Sequence, residues 1–179
     1  DVYKRQVSDL VTMNFDGTTG KLLWAGFFIA FAIKAPMVPV HTWLPDTAEQ
    51  ARPGASTLLV GILDKIGTFG MLRFCLQIFP DASKWATPVV LVLALISILY
   101  GALMAIGAGD LLRLVSYTSV SHFGFMVLGI FAMTTASLNG AMFYMLAHGF
   151  STAALFLVVG FMIERRGSAR IEAFGGVQK

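Results

Sequence analysis

The sequence predicts an all-α, polytopic membrane helix bundle of about five transmembrane helices, the first of them broken at Pro36 and Pro39. Composition is the first reason. Of 179 residues, 56% are hydrophobic and only 13% charged, about half the charged share of an ordinary soluble domain, and the mean hydropathy is +0.75. Such an inventory cannot cover an aqueous surface, so a lipid solvent is implied. The second reason is spacing: apolar segments of about 20 residues recur, separated by connections too short for an extramembrane domain. The third is that lipid offers no partner to free backbone groups, so spans of this length favour helices.

In order along the chain, residues 1–21 read as a polar prologue. Its opening "DVYKRQ" has neither a methionine nor a following apolar run, so it is not taken as a signal peptide; we expect an internal stretch of a longer protein, with residues 1–6 a sequencing or assembly scar. The first apolar segment covers 22–41 and ends at "HTWLPD" and the loop "TAEQARPG". The second covers 55–79, closed by Pro80 and the loop "DASKWAT". The third runs over 88–109, and the charged turn "DLLR" separates it from a fourth at 112–133; a fifth occupies 138–163, within a membrane domain of residues 22–165, and 166–179 form a loop. No regular repeat is visible.

Alternating five helices sorts the loops onto two faces. One collects Arg52, Arg113, Arg165, Arg166, Arg170 and Lys179; the other holds Lys21 and Lys84, with Lys4 and Arg5 of the prologue. The positive-inside rule makes the first face, with loops 42–54, 110–113 and 164–179, cytoplasmic. Net charge is +3, but the basic residues are scattered and no aromatic-basic stripe points to nucleic acid. Cys75, the single cysteine, excludes an intrachain disulfide and reads as a small packing residue.

Depth then singles out the candidate functional residues. Counting from Leu22, Lys34 lies twelve residues in, roughly 18 Å at 1.5 Å per residue, near the middle of a hydrocarbon layer of about 30 Å. Lys65, His122 and His148 each fall about ten residues into their own helices. Four titratable groups on four helices therefore share one depth, and ionisable residues placed there are costly and mark ion or proton pathways. Burial disfavours the charged form of an amine, and imidazole exchanges its proton near neutrality, so the row is suited to passing protons through a low-dielectric region. Hydroxyls sit one turn away: Thr68 beside Lys65, Thr118 and Ser119 beside His122, Ser151 beside His148. Pro36 and Pro39 interrupt the backbone ladder just beyond Lys34, a break tolerated where backbone lines a protein-buried wet cavity.

Plainer roles fit some of these residues singly. Either histidine suits a hydrogen-bonded packing position, and Lys34 suits a helix-end anchor if its span stops at Pro36. Asp64 adjoins Lys65, but neighbours on a helix point about 100° apart and do not pair; its role is left open. Arg73 snorkels from the end of its helix. Glycines 61, 67, 70, 101, 107, 109, 124 and 129 serve close helix approach. The three histidines lack helical HxxxH spacing, and no carboxylate accompanies His122 or His148, so no metal site is expected.

Four ordered motifs, "KAPMVPVHTWLPD", "GILDKIGTFGMLRF", "RLVSYTSVSHFGFMVLGI" and "MLAHGFSTAALFLVVGFMIERR", resemble the antiporter-like, proton-pumping membrane subunits of respiratory complex I. The resemblance covers nearly everything from Leu22 onward. It implies two inverted repeats of five helices, of which this chain holds the end of one and the start of the next. It also implies Lys34 as the pump lysine on a broken helix, Lys65 as a connecting lysine, and His122 and His148 on a central polar axis. The acidic partner of the pump lysine and the ionisable residue of the second broken helix fall outside the sequence. The family more often has leucine at the position of Asp64 and a glutamate near Gln50. By this resemblance the chain is a membrane subunit of an NADH:quinone oxidoreductase in a bacterial plasma membrane. It carries no cofactor itself; NADH, flavin, iron–sulfur clusters and quinone belong to partner subunits. A subunit of a multisubunit cation/proton antiporter, a membrane-bound hydrogenase subunit, and a structural bundle without transport remain the alternatives.

Overall fold

The first apolar stretch is already helical at Gly17 and stops at Lys34, where the sequence predicts residues 22–41. These elements come from a computed structural model that describes residues 6–13, 15 and 17–175; Lys4, Arg5 and Lys179 of the loop assignment, and residues 1–5 of the hexapeptide, lie outside them. A short helix α1 (Val7–Thr12) sits in the prologue, ahead of α2 (Gly17–Lys34). Pro36 has no amide proton to continue the ladder and disfavours helical geometry at Ala35, which fixes the stop. The chain turns through residues 35–42 and re-forms a helix, α3 (Trp43–Gln50), within the expected loop. Pro45 does not prevent this, because it falls in the first turn, where amides have no intrahelical acceptor.

The second span is not one regular helix. It begins with α4 (Pro53–Leu58), widens into a π-helical turn at Leu59–Leu63, resumes as α5 (Lys65–Gly70) and widens again at Met71–Leu76. Pro53 leads as the first helical residue. The third span, α6 (Pro80–Ile106), starts at Pro80 rather than Pro88, so the expected loop "DASKWAT" is its first two turns. Pro88 is held inside the helix, and the adjacent Thr87 donates its hydroxyl to the Ser83 carbonyl one turn back at 2.8 Å.

Two long helices complete the bundle. Helix α7 (Leu111–Phe131) starts at Asp110, whose carboxylate accepts from the Leu112 and Arg113 amides at 2.8 and 3.1 Å. Helix α8 (Thr135–Arg166) starts with a reciprocal Thr134–Ser137 capping box and ends at Gly167, whose φ of 70° suits glycine at a helix end. A 3₁₀ turn at Ile171–Phe174 closes the described chain.

Helix α6 faces its partners with small residues, among them Ala82, Ala86, Ala94, Ser97, Gly101 and Ala105, while Val89, Val92, Leu99, Leu103 and Ile106 point outward. Large apolar side chains outside and small ones inside is the packing of a bundle solvated by lipid. Among the described residues three helices, α6, α7 and α8, are each long and apolar enough to cross a membrane. The other two predicted spans are the interrupted ones. Gly61, Gly67, Gly70, Gly101, Gly124 and Gly129 leave too little room for a methyl group without a shift, as expected, whereas Gly107 and Gly109 at the α6–α7 turn do not press on a neighbour.

The loops gather at two ends, as alternation predicts. At one end Arg113 bonds Glu49 at 2.5 Å and Asp46 at 3.2 Å, tying α3 to α7. The chain after α8 pairs there too, with the Leu111 amide donating to Ala169 and the Ile171 amide to Gly109, each at 3.0 Å. At the other end the Lys21 ammonium lies 4.7 Å from the Trp85 ring, and the Trp24 indole donates to Ser83 at 2.8 Å.

Candidate functional site

The interrupted helices carry the lysines. Lys34 is the last residue of α2, and its ammonium lies 6.0 Å from the centre of the Trp43 ring on the refolded segment. Trp43 in turn donates its indole N–H to the Ile33 carbonyl at 2.9 Å, and the Val38 amide donates to Ser97 on α6 at 2.9 Å. Backbone groups released by the break are thus claimed by side chains, which holds the break in one shape. His41, on the same segment, is 4% exposed and packs edge-on against Tyr100 at 4.9 Å.

Lys65 follows directly on the first π-helical turn and Asp64. Its ammonium donates to the Val60 carbonyl one turn back and lies 5.2 Å from the Phe123 ring of α7. Glycine makes these approaches possible. A methyl group on Gly67 would stand 2.5 Å from the Ala35 amide nitrogen, so α5 presses on the end of α2 beside Lys34; one on Gly149 would stand 2.8 Å from the Gly61 carbonyl oxygen, so α8 crosses within a turn of Lys65.

Beyond Phe123 the polar chain continues. The Phe123 and His148 rings are 5.5 Å apart, those of His148 and His122 5.1 Å, and the His122 Nδ1 is hydrogen-bonded to the Tyr144 hydroxyl. His148 is 4% exposed, and neither ring nitrogen has a hydrogen-bond partner among the described residues. A cavity of about 290 Å³ beside the two histidines is lined by Thr118, Tyr144, Ser151 and Thr152 together with Ala147 and Leu155, large enough for water and with hydroxyls to bond it. A second, apolar groove of about 580 Å³ between the α4–α5 helix and α8 exposes Lys65 with Met145, Leu146 and Gly149.

Three of the four residues expected at one depth, Lys65, His122 and His148, therefore converge from three helices. Lys34 is not joined to them by any hydrogen bond or ion pair among the described residues; the ion pairs found there all lie at the bundle ends. The hydroxyls chiefly bond their own helices: Thr118 and Ser119 to Val115 at 2.7 and 3.0 Å, Ser151 to His148 at 3.3 Å, Thr68 to Lys65 at 3.0 Å and to the Met145 sulfur at 2.9 Å. Thr118 and Ser151 still line the histidine cavity. Asp64 is fully buried with both carboxyl oxygens unpartnered among the described residues, and it does not pair with Lys65. Tyr144 and Phe123 escaped the sequence reading, which looked for serine and threonine; Tyr144 stands four residues before His148, one turn away on α8, and spacing would have found it.

Residues 4–179 match the family described as NADH:quinone oxidoreductase/Mrp antiporter, TM. The chain belongs to that family. It is 54% identical over 164 residues to NADH-quinone oxidoreductase subunit M of Mycobacterium tuberculosis (strain ATCC 25618 / H37Rv), a match covering 92% of this chain and 30% of the relative. To subunit M of Rickettsia prowazekii (strain Madrid E) it is 45% identical over 157 residues, 88% of this chain and 32% of that one. The chain thus spans about a third of the length of the curated relatives it matches. Among solved structures it is similar to respiratory complex I from Thermus thermophilus with bound NADH (TM-score 0.87, 35% identity, 92% of this chain and 35% of that chain). It is also similar to the Mrp complex from Dietzia sp. DQ12-45-1b (TM-score 0.84, 30% identity, 92% of this chain and 30% of that chain).

Proposed function

We propose that the family member to which this chain belongs is a proton-translocating membrane subunit of an NADH:quinone oxidoreductase, and that Lys34, Lys65, His122 and His148 pass protons along the middle of the membrane. The observation that carries the reading is the convergence of Lys65, His148 and His122 across three helices, beside a cavity that bears hydroxyl groups; ionisable groups within membrane helices are costly and mark proton pathways. A relay needs groups that exchange protons without leaving charge stranded. Lys65 is the donor or acceptor on one side of Phe123, and His148 has two free nitrogens on the other. His122 can take a proton at one nitrogen while the other remains bonded to Tyr144. Lys34, at the broken helix, is the point where the proton is loaded, and the bonds from Trp43 and Val38 hold that break in place.

The subunit M relatives support an oxidoreductase assembly with other membrane subunits, in which NADH, flavin, iron–sulfur clusters and quinone act outside this chain. The arginine-bearing end of the bundle is the cytoplasmic one, in a bacterial plasma membrane. Likeness to the Mrp complex favours a second reading, a subunit of a cation/proton antiporter. One substitution separates them. In native membrane vesicles holding the complete complex, Lys65→Met should lower NADH-driven proton uptake by about tenfold or more while subunit content holds. Unchanged NADH-driven uptake with normal content would mean that the chain serves a separate antiporter or that Lys65 is structural. Loss of the subunit in step with uptake would favour the structural bundle.

A further inference from the structure

Resting on that reading, we propose that Asp64 is an additional protonatable station between Lys34 and Lys65, joining the break in α2 to the lysine–histidine chain. The structure otherwise leaves this gap open, because no hydrogen bond among the described residues joins Lys34 to Lys65, whose ammonium is bonded to the Val60 carbonyl. Asp64 sits at the seam where the π-helical turn Leu59–Leu63 returns to α-helix. Its side chain has 0% exposure, with both oxygens unpartnered among the described residues. Its position around the helix is fixed by its neighbours one turn on. Gly67 abuts Ala35 and the Phe31 carbonyl of α2, and Thr68 abuts Met145 of α8, so Asp64 lies on the inward face between those contacts.

A carboxylate cannot remain charged and unpaired in such a place, so it must hold a proton or exchange one with a nearby base. The step balances simply. An N–H bond of the Lys34 ammonium breaks as an O–H bond forms on the Asp64 carboxylate, leaving a neutral amine and a neutral acid. The Asp64 O–H bond then breaks as an N–H bond forms on the neutral amine of Lys65, and the carboxylate is ready to be loaded again. As a packing residue, Asp64 would do no more than an isosteric amide or a leucine in its place.

The test compares Asp64→Asn, Asp64→Leu and Asp64→Glu with Lys65→Met in vesicles containing the full complex. Read out are NADH-driven proton uptake, assembled subunit content and the infrared C=O stretch of a protonated carboxylic acid. Asp64→Asn should cut uptake severalfold at normal content and erase one carboxylic-acid band, and Asp64→Glu should restore both. If Asp64→Asn fails to assemble, Asp64→Leu replaces it, since it removes the buried polar atoms; normal content with reduced uptake supports the station. Wild-type uptake in either assembled variant overturns it. If Lys65→Met abolishes uptake while Asp64→Asn leaves it intact, only the Asp64 inference falls; if neither changes uptake, the relay reading falls with it.

Discussion

The α6–α7 pair and the crossing of the α4–α5 segment with α8 occupy the same bundle and are built on opposite terms. Between α6 and α7 both helices are regular, α6 presents small residues, and the inward hydroxyls are satisfied: Ser97 donates to Leu93 at 2.8 Å, Ser116 to Leu112 at 2.8 Å and the half-buried Ser121 to Ile98 at 3.0 Å. At the other crossing the helix alternates between α and π geometry, a carboxyl and an imidazole are buried without partners, and cavities remain. One pair is a frame that tolerates little change. The other, the proposed site, is packed incompletely, and π-helical turns recur at functional sites. Buried polar groups left unpartnered cost stability, so their presence argues for a use.

The largest effect should come from attacking the frame. A Cβ on Gly124 would stand 2.7 Å from Ile98 Cγ1 and 2.8 Å from the Ala94 carbonyl oxygen; the backbone atom cannot swing aside, so Gly124→Val must push α6 and α7 apart. Overpacking of this kind costs about 1–3 kcal/mol or more. Assembled subunit content, measured by quantitative blotting of membranes, should fall steeply, whereas uptake per assembled complex should stay near wild type. Full content in this variant would mean that the two regions do not differ in tolerance.

Next in size, His148→Phe sharpens the contrast from the other side. Phenylalanine keeps an aromatic ring against Phe123 and His122 and removes two buried nitrogens that have no partner among the described residues. Each such unsatisfied group carries a penalty of about 1–3 kcal/mol, so thermal stability of the purified complex should hold or rise. Proton uptake should nevertheless fall by about tenfold or more. A variant that becomes less stable and still pumps would reverse the assignment of frame and site.

The two regions were not equally legible in the sequence. Depth along a helix is a matter of counting residues, and the count put Lys65, His122 and His148 on one level, where they meet. Direction around a helix depends on how neighbours pack, which apolar segments with little periodic contrast do not encode; hence Lys34 was grouped with three residues it does not touch. A proline was misplaced as well. Pro88 looked like a helix start because its local signal is strong, yet it is carried inside α6 after Pro80 took that role. The π-helical turns left no mark in the residue pattern; the first of them holds Gly61, where α8 crosses closely. The frame follows local rules more closely than the site: α6 carries a small-residue face and Asp110 caps α7.

The smallest effect distinguishes an oriented relay from a merely polar patch. Tyr144 on α8 bonds His122 on α7 through a single hydroxyl, and it lines the same cavity as Thr118 and Ser151. That bond holds one ring nitrogen of His122 and thereby decides which nitrogen is free for the proton. Tyr144→Phe removes the bond while keeping the ring, 5.7 Å from His122, so packing changes little. A neutral hydrogen bond contributes about 0.5–1.5 kcal/mol, which sets the expected loss of uptake at roughly two- to tenfold with normal subunit content. Tyr144→Ala would add a packing defect and blur this reading, so it is the wrong control. The better one is His122→Asn, which retains a side chain able to bond Tyr144 but cannot exchange protons near neutrality, and its loss should exceed that of Tyr144→Phe. If the order is reversed, the hydroxyl itself carries the proton and His122 only holds it in place.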